Sequence, residues 1–241
     1  MTDHSFSFAA HAPSFDRHIS DSIPGLCDLR AACISLSRRY VQDDTTVVDV
    51  GCSEGTVLKA IRDANDEMTM STSYVGIDVE PKFREHWARH ARQNLRFHVR
   101  DARTFDGFEN MSLAVSLFTL QFVPDRDKMS VLKRIHEGLA EGGALVIAEK
   151  ILASSARLQD VLTFEYYDHK LRNFSAEEIL NKERGLRRQM HLWTDLELMD
   201  ALCLAGFSAD QIQRIWLQHP FVGLVAVKGG NRREYRRSPP A

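Results

Sequence analysis

An open α/β fold, with a mostly parallel sheet closed by a C-terminal antiparallel hairpin, is what this 241-residue sequence predicts. Three observations carry that reading. Short β-rich runs alternate with amphipathic helical stretches. The first run stops on an acid and enters a glycine-bearing turn, VVDVGCSEG at 47–55. Near the C-terminus, two β-rich runs meet at His219-Pro220 with no room for a helix between them. A strand reached through a crossover helix lies parallel to its predecessor, so the alternation means a parallel sheet with helices on both faces. Two runs joined by a tight turn pair antiparallel.

The elements follow in order. A helical entry covers 15–40, and strands are expected at TTVVDV (45–50), SYVGID (73–78), LRFHV (95–99), MSLAVSLF (111–118) and ALVIAE (144–149). Between the last two, Met129, Leu132, Ile135 and Leu139 recur at three- and four-residue steps and share one helical face, and EGG at 141–143 is expected to stop that helix. A helical insertion spans about 153–190, and QIQRIWLQHPFVGLVAVKG (211–229) is the hairpin. A single domain over 1–230 accounts for all of these, and the basic segment NRREYRRSPPA (231–241) is expected to be a disordered end.

Composition excludes several classes of function. With 31 basic and 33 acidic residues the formal charge is −2, so there is no global basic field for a nucleic-acid backbone, and no direct nucleic-acid binding is expected. Cys27, Cys33, Cys52 and Cys203 have neither CxxC spacing nor the density of a disulfide scaffold, so no metal is expected and they read as reduced thiols of a cytoplasmic protein. The N-terminus lacks a signal-like pattern, and no apolar run approaches the ~20 residues of a membrane span.

The strand ends carry the candidate chemistry. Asp49, Gly51, Cys52, Ser53 and Gly55 form a loop that departs from G-x-G-x-x-G, since Ser53 takes the place of the second glycine. Taken alone, it reads equally well as a tight strand-to-helix turn or as a loop whose glycines let a ligand approach the backbone. Asp78 ends the next strand, where a carboxylate can accept both hydroxyls of a ribose, or else cap a helix before Pro81. Asp101, with Ala102 beside it, follows the third strand. Three polar sites at successive strand ends favour a nucleoside ligand over three independent caps.

Strand pattern and first loop resemble the class I, Rossmann-like methyltransferases. The resemblance implies that Asp49, Gly51, Cys52, Ser53 and Gly55 form the loop at the methionine end of S-adenosylmethionine, that Asp78 holds the ribose and Asp101 and Ala102 the adenine, and that Val79 also binds the cofactor. A narrower likeness rests on FDRHISDSIPGLCDL (15–29), FTLQFVPD (118–125) and GGALVIAEK (142–150). From Phe15 to about Lys228 the chain resembles the carboxy-S-adenosyl-L-methionine synthase family.

That resemblance implies a homodimer that binds S-adenosylmethionine or its carboxylated form. Prephenate would give up its carboxyl group to the activated methyl, and a separate enzyme would carry the product to the wobble uridine of tRNA. The family's carboxylate-holding arginine falls on Arg184, reached without a gap from YYDHK (166–170) through FSAEEILNKER (174–184), and Arg184 is the expected catalytic residue. Two pocket positions depart from the family: Leu26 replaces a tyrosine, and Leu117, which falls at a cofactor position, replaces an asparagine. Each loss would leave a buried polar group unpartnered, at about 1–3 kcal/mol. An ordinary methyltransferase acting on another acceptor and a non-catalytic cofactor-binding module are the alternatives. Tyr166, Tyr167 and His169 could line an acceptor pocket, although aromatic residues at helical spacing more often belong to a core.

Overall fold

A computed structural model describes residues 15–66, 71–90 and 92–229. The helical entry is two helices, α1 (Phe15–Ser22) and α2 (Leu26–Tyr40), separated by Gly25 at φ 67°. The alternating unit follows as β1 (Thr46–Val50), α3 (Thr56–Asn65), β2 (Ser73–Asp78), α4 (Arg84–His90), β3 (Leu95–Val99), β4 (Met111–Leu117), α5 (Asp125–Gly138) and β5 (Leu139–Leu152). The insertion is α6 (Ala156–Lys170) and α7 (Ala176–Leu186). A two-residue strand β6 (Trp193–Thr194), helix α8 (Asp195–Ala205) and the hairpin β7 (Ile212–Gln218) and β8 (Phe221–Val227) complete the fold.

The strands lie in the order β3-β2-β1-β4-β5-β8-β7, with β6 pairing β5 off that path. β1 to β5 run parallel, while β8 pairs antiparallel to both β5 and β7. The α/β class, the mostly parallel sheet and the terminal hairpin are as the sequence predicts. Central strands are buried on both faces: Val48, Val50 and Ala114 pack towards one layer with Leu132 and Leu202, and Val47, Leu113 and Val115 towards the other with Cys33 and Leu58. Burial on both sides explains why these strands read as continuous apolar runs rather than alternating ones.

The helix between β4 and β5 ends earlier than its periodicity implies. Leu139 leaves the helix to open β5 opposite Met111, and the EGG segment lies inside β5, with Gly142 at φ 77°. The register then jumps from Met111↔Leu139 to Leu113↔Ala144, so the extra residues of β5 bulge out around that left-handed glycine. The helix fits so closely that a Cβ on Gly138 would stand 2.2 Å from the Phe108 carbonyl oxygen. At its other end β5 extends past the predicted 149, because Lys150 pairs with Phe221 and Ile151 with Trp193.

Local chemistry sets the later helix starts. Ser175 and Glu178 form a capping box at α7, as do Thr194 and Glu197 at α8, an element not anticipated from sequence. Among the described residues no helix is long and apolar enough to cross a membrane, and all four cysteines are free thiols. The segment 231–241 lies outside the described residues.

Candidate active site

Between β1 and β4 the chain order of the sheet reverses, and open α/β folds bind ligands beyond the carboxyl ends of the strands at such a point. A cavity of about 450 Å³ opens there, lined by the ends of β1, β2, β4 and β5 and covered by Phe15, His18 and Ile19 of α1.

The β1–α3 loop is shaped by left-handed residues: Gly51 at φ 75°, Ser53 at 48° and Gly55 at 83°. Its amides face β2. Gly51 and Cys52 donate to the Ile77 carbonyl at 2.8 and 3.0 Å, and Ser53 donates to Asp78 Oδ2 at 2.9 Å. Glu80 N donates to the other oxygen, Oδ1, at 2.9 Å. Burial pushes the Asp78 carboxyl above its ordinary value, and the Glu80 and Ser53 amides pull against that rise. Trp87 Nε1 donates to the Ser53 carbonyl at 2.7 Å and pins the loop from outside.

Neighbouring side chains also demand the glycines. A Cβ on Gly51 would lie 2.0 Å from Thr119 Oγ1, and one on Gly55 would lie 2.6 Å from the Phe97 ring. Asp49 sits beneath the loop, where burial first and the Asp78 charge second push its carboxyl up to about 7, with Arg30 opposing.

At the far end, Asp101 is clasped by Arg103, whose Nε and Nη2 donate to Asp101 Oδ2 at 2.9 and 2.6 Å. That fork holds the Asp101 carboxyl below its ordinary value. The segment after β4 is fixed from below by Glu149, which accepts from Leu120 N at 2.9 Å and Gln121 N at 2.6 Å. Burial pushes Glu149 up to about 8 against those two donors.

Lys150, Lys182 and Glu183 are charged groups of the cavity's inner wall. Lys150 and Lys170 stand 3.6 and 3.7 Å from Glu183 Oε1, ion pairs too long to be hydrogen bonds. Lys182 Nζ meets His18 Nε2 at 2.7 Å and donates to Ser22 Oγ at 3.1 Å, joining α7 to the cover helix. Burial, helped by Lys170, brings Lys182 down to about 7, while Glu183 opposes the change. The Tyr166 ring centroid lies 5.0 Å from Lys150 Nζ and 5.1 Å from Lys170 Nζ.

Comparison with known proteins bears on this site. A methyltransferase domain model matches residues 47–143. Carboxy-S-adenosyl-L-methionine synthase of Methylococcus capsulatus is 32% identical over 223 residues, covering 90% of this chain and 90% of that one. The chain belongs to the carboxy-S-adenosyl-L-methionine synthase family. The same-named protein of Staphylococcus epidermidis is 27% identical across 90% of this chain and 93% of its own.

Solved structures agree on the fold of this family member. A chain from the complex of the Haloferax volcanii Trm112 methyltransferase activator with a methyltransferase aligns at TM-score 0.61 and 18% identity, covering 93% of this chain and 98% of that chain. Human N-acetylserotonin methyltransferase in complex with S-adenosylmethionine aligns at TM-score 0.54 and 16% identity, covering 83% and 52%. The protein is an S-adenosylmethionine-dependent transferase of the class I methyltransferase fold, with S-adenosylmethionine as its cofactor.

The residues present fit that cofactor. Gly51, Ser53, Asp78, Val79, Asp101, Ala102 and Leu117 all line the cavity of this carboxy-S-adenosyl-L-methionine synthase relative. Asp49 and Cys52 lie instead in a recess of about 40 Å³ under the loop, and Gly55 serves as the N-cap of α3. Leu26 borders that recess rather than the main cavity, so its hydrocarbon side chain faces the apolar packing around Phe118 and Trp216.

Arg184, expected to hold a carboxylate in its own subunit's pocket or a neighbour's, lies off the wall of its own chain's cavity and is exposed. On α7 the inward stripe is Ile179, Lys182, Glu183 and Leu186, spaced by three and four residues, and Arg184 falls outside it. Tyr166 lines the cavity, Tyr167 lines only the chamber behind it, and His169 lines neither. Sequence reading passed over Lys150 and Lys182. The phase of α7 is the signal that marks Lys182.

Proposed function

We propose that the chain makes carboxy-S-adenosyl-L-methionine, with prephenate as carboxyl donor, and that a separate transferase carries the product to the wobble uridine of tRNA. The observation that supports this reading is the charge of the inner wall. Lys150 and Lys182 line the cavity with Glu183, whose Oε1 pairs with Lys150 and also with Lys170, a residue outside the cavity lining. A cationic, partly desolvated wall suits a substrate that arrives as a carboxylate and a product that keeps one.

Bound with its adenosine towards Asp78 and Asp101, the cofactor supplies an activated methyl group. The chain's own groups then have to position the donor and exclude water, with α1 as the cover. The atoms balance without a redox partner. Prephenate loses CO2 and hydroxide on becoming phenylpyruvate, the methyl carbon exchanges a proton for that CO2, and proton and hydroxide combine as water. With a formal charge of −2, the protein has no basic field for RNA, which accords with leaving the tRNA step to another enzyme.

We also propose that the protein is a homodimer. Leu158, Val161, Phe164 and Leu171 of the insertion are 49%, 54%, 69% and 51% exposed, a contiguous apolar stretch that a second copy would cover. An exposed Arg184 would then have a neighbouring subunit's ligand to meet.

A second reading, an ordinary methyltransferase acting on another anionic acceptor, is favoured by one observation: Leu117 on the cavity wall offers no amide to a carboxylated cofactor. Mass spectrometry after incubation with S-adenosylmethionine and prephenate separates the two. Carboxylated cofactor appearing with phenylpyruvate is expected; cofactor left unchanged at every prephenate concentration would defeat the synthase reading.

A further inference from the structure

Charge is unevenly spread along the chain. Residues 82–100 hold six of its 31 basic residues and, in Glu85, one of its 33 acidic ones. This segment folds as α4 and as β3, the edge strand of the sheet. Arg84 and Arg89 on α4, Arg96 and His98 on β3, and Arg100 just past its end are all exposed. Among the described residues none of these four arginines makes an ion pair, whereas Arg30, Arg62, Arg103 and Arg214 each meet a carboxylate.

A groove of about 340 Å³ lies between the two elements, with Arg84 and Ala88 on its helix side and Phe97, Val99 and Arg100 on its strand side. Its floor is fixed. Trp87 and Phe97 stack with ring centroids 5.6 Å apart and 10° between their planes, and Trp87 Nε1 donates to the Ser53 carbonyl. Along β3 burial alternates: Leu95, Phe97 and Val99 are the more covered residues, and Arg96, His98 and Arg100 share the exposed face. β3 pairs with β2 along one side, and its other side carries backbone amides and carbonyls that no described strand meets.

Charges on an edge strand guard against stray pairing, but that purpose needs none on the facing helix. Like charges on both elements repel, and an anion arriving from outside relieves the repulsion. Guanidinium groups suit carboxylates and phosphates alike, so the rest of the groove has to decide the anion's source. Single-stranded nucleic acid binds a basic groove by stacking its bases on open aromatic faces. Trp87 is only 5% exposed and stacked on Phe97, so it offers no such platform. An extended chain rich in acids meets what is present, a free strand edge with cations on its face and on the helix beside it.

We propose that the α4–β3 face is a docking surface for an acidic, extended segment of a protein partner, laid along the free edge of β3 with its carboxylates against Arg96 and Arg100 on the strand and Arg84 on the helix. Arg100 lines the cofactor cavity as well as the groove, so the partner sits beside the end of the cavity where Asp101 lies. The surface does not depend on which group the enzyme transfers.

Fluorescence anisotropy of the full chain with a labelled peptide of three Glu-Glu-Val repeats is the assay, and a uridine oligonucleotide of equal charge is the comparison. Wild type should bind the peptide at low salt, release it as salt rises, and bind a copy N-methylated at each valine about tenfold less tightly. Arg84→Glu and Arg96→Glu, at exposed positions outside the cofactor cavity, should each weaken the peptide about tenfold and leave S-adenosylhomocysteine within about twofold. No peptide binding by wild type, equal affinity for the N-methylated copy, or affinity unchanged in both variants would overturn the proposal. So would an oligonucleotide that binds more tightly than the peptide, which would make the face a nucleic-acid surface instead.

Discussion

Asp78 is the residue on which the cofactor assignment is most open to measurement. An ionised carboxylate offers about four lone-pair positions, and in this structure the Ser53 and Glu80 amides take one on each oxygen, both at 2.9 Å. The Val79 amide also contributes, and because Asp78 lines the cavity its carboxylate can still accept from the hydroxyls of a ribose. A hydrogen bond to a charged group is worth roughly 1.5–3 kcal/mol, so Asp78→Ala should cost ~3 kcal/mol of affinity for methylthioadenosine, or about two decades in Kd. The same substitution also frees two loop amides, a loss that any ligand of the loop would feel. Titrating wild type and Asp78→Ala with methylthioadenosine and with its 2′,3′-dideoxy analogue separates the two effects. The loss should be about two decades for the ribonucleoside and at most one for the analogue. Equal losses for both would show that Asp78 acts only as an anchor for Ser53 and Glu80, and the ribose assignment would be wrong.

Gly51→Ala should unfold at lower temperature by both routes visible in the loop, the φ of 75° and the 2.0 Å approach to Thr119 Oγ1. Adding Thr119→Gly should restore the part due to the clash and leave ~1–2 kcal/mol for the backbone; calorimetric melting of the three variants checks it, and no recovery in the double variant would refute the clash. Lys182, brought down to about 7, carries its ammonium in the folded protein only below that pH, while the unfolded chain keeps the proton to about 10.5. Stability from this residue therefore rises between those values, and preference for a carboxylated over an uncarboxylated cofactor falls as pH passes 7; Lys182→Arg should flatten that preference in competition binding, and an unchanged profile would remove Lys182 from anion binding. Arg184→Leu should change binding by at most about 1 kcal/mol at dilutions where the protein is monomeric, the scale of an exposed pair, and by more only where light scattering shows a dimer. A large loss at every concentration would contradict the exposed position of Arg184.

Much of the fold was legible because sheet burial writes itself into the sequence. β2 and β3 run as predicted, Ser73–Asp78 and Leu95–Val99, since the apolar runs end where polar loops begin. The end of α5 was misread because Leu139 continues the helical period, and nothing local shows that its backbone is needed opposite Met111. The acids at the ends of β1, β2 and β3 were legible for a related reason: an ionisable group closing an apolar run is conspicuous. Placement divided them: Asp78 faces the cavity, Asp49 lies under the loop, and Asp101 is held by Arg103, a contact that depends on a side chain two residues along. Lys182 and Glu183 were hidden in NKERGLRR, where charge density reads as a solvated face, yet α7 turns precisely these two inward between Ile179 and Leu186.

The phase of α7 decides which cation its own cavity meets. Sequence matching put the cationic role on Arg184, whereas the folded helix presents Lys182 and Glu183 to the cavity, one residue pair earlier. The substitution of one cation for another is not neutral. A guanidinium fork fixes a carboxylate in a plane through two parallel hydrogen bonds, while an ammonium acts as a point charge with rotatable donors. Lys150 and Lys182 on the wall therefore supply attraction with little orientational control, and Glu183 limits that attraction by pairing with Lys150. Orientation has to come from elsewhere, and under the proposed dimer Arg184 of a second subunit would supply it. That source operates only in a dimer, so turnover that does not depend on protein concentration across the monomer–dimer range would remove Arg184 from the proposed reaction.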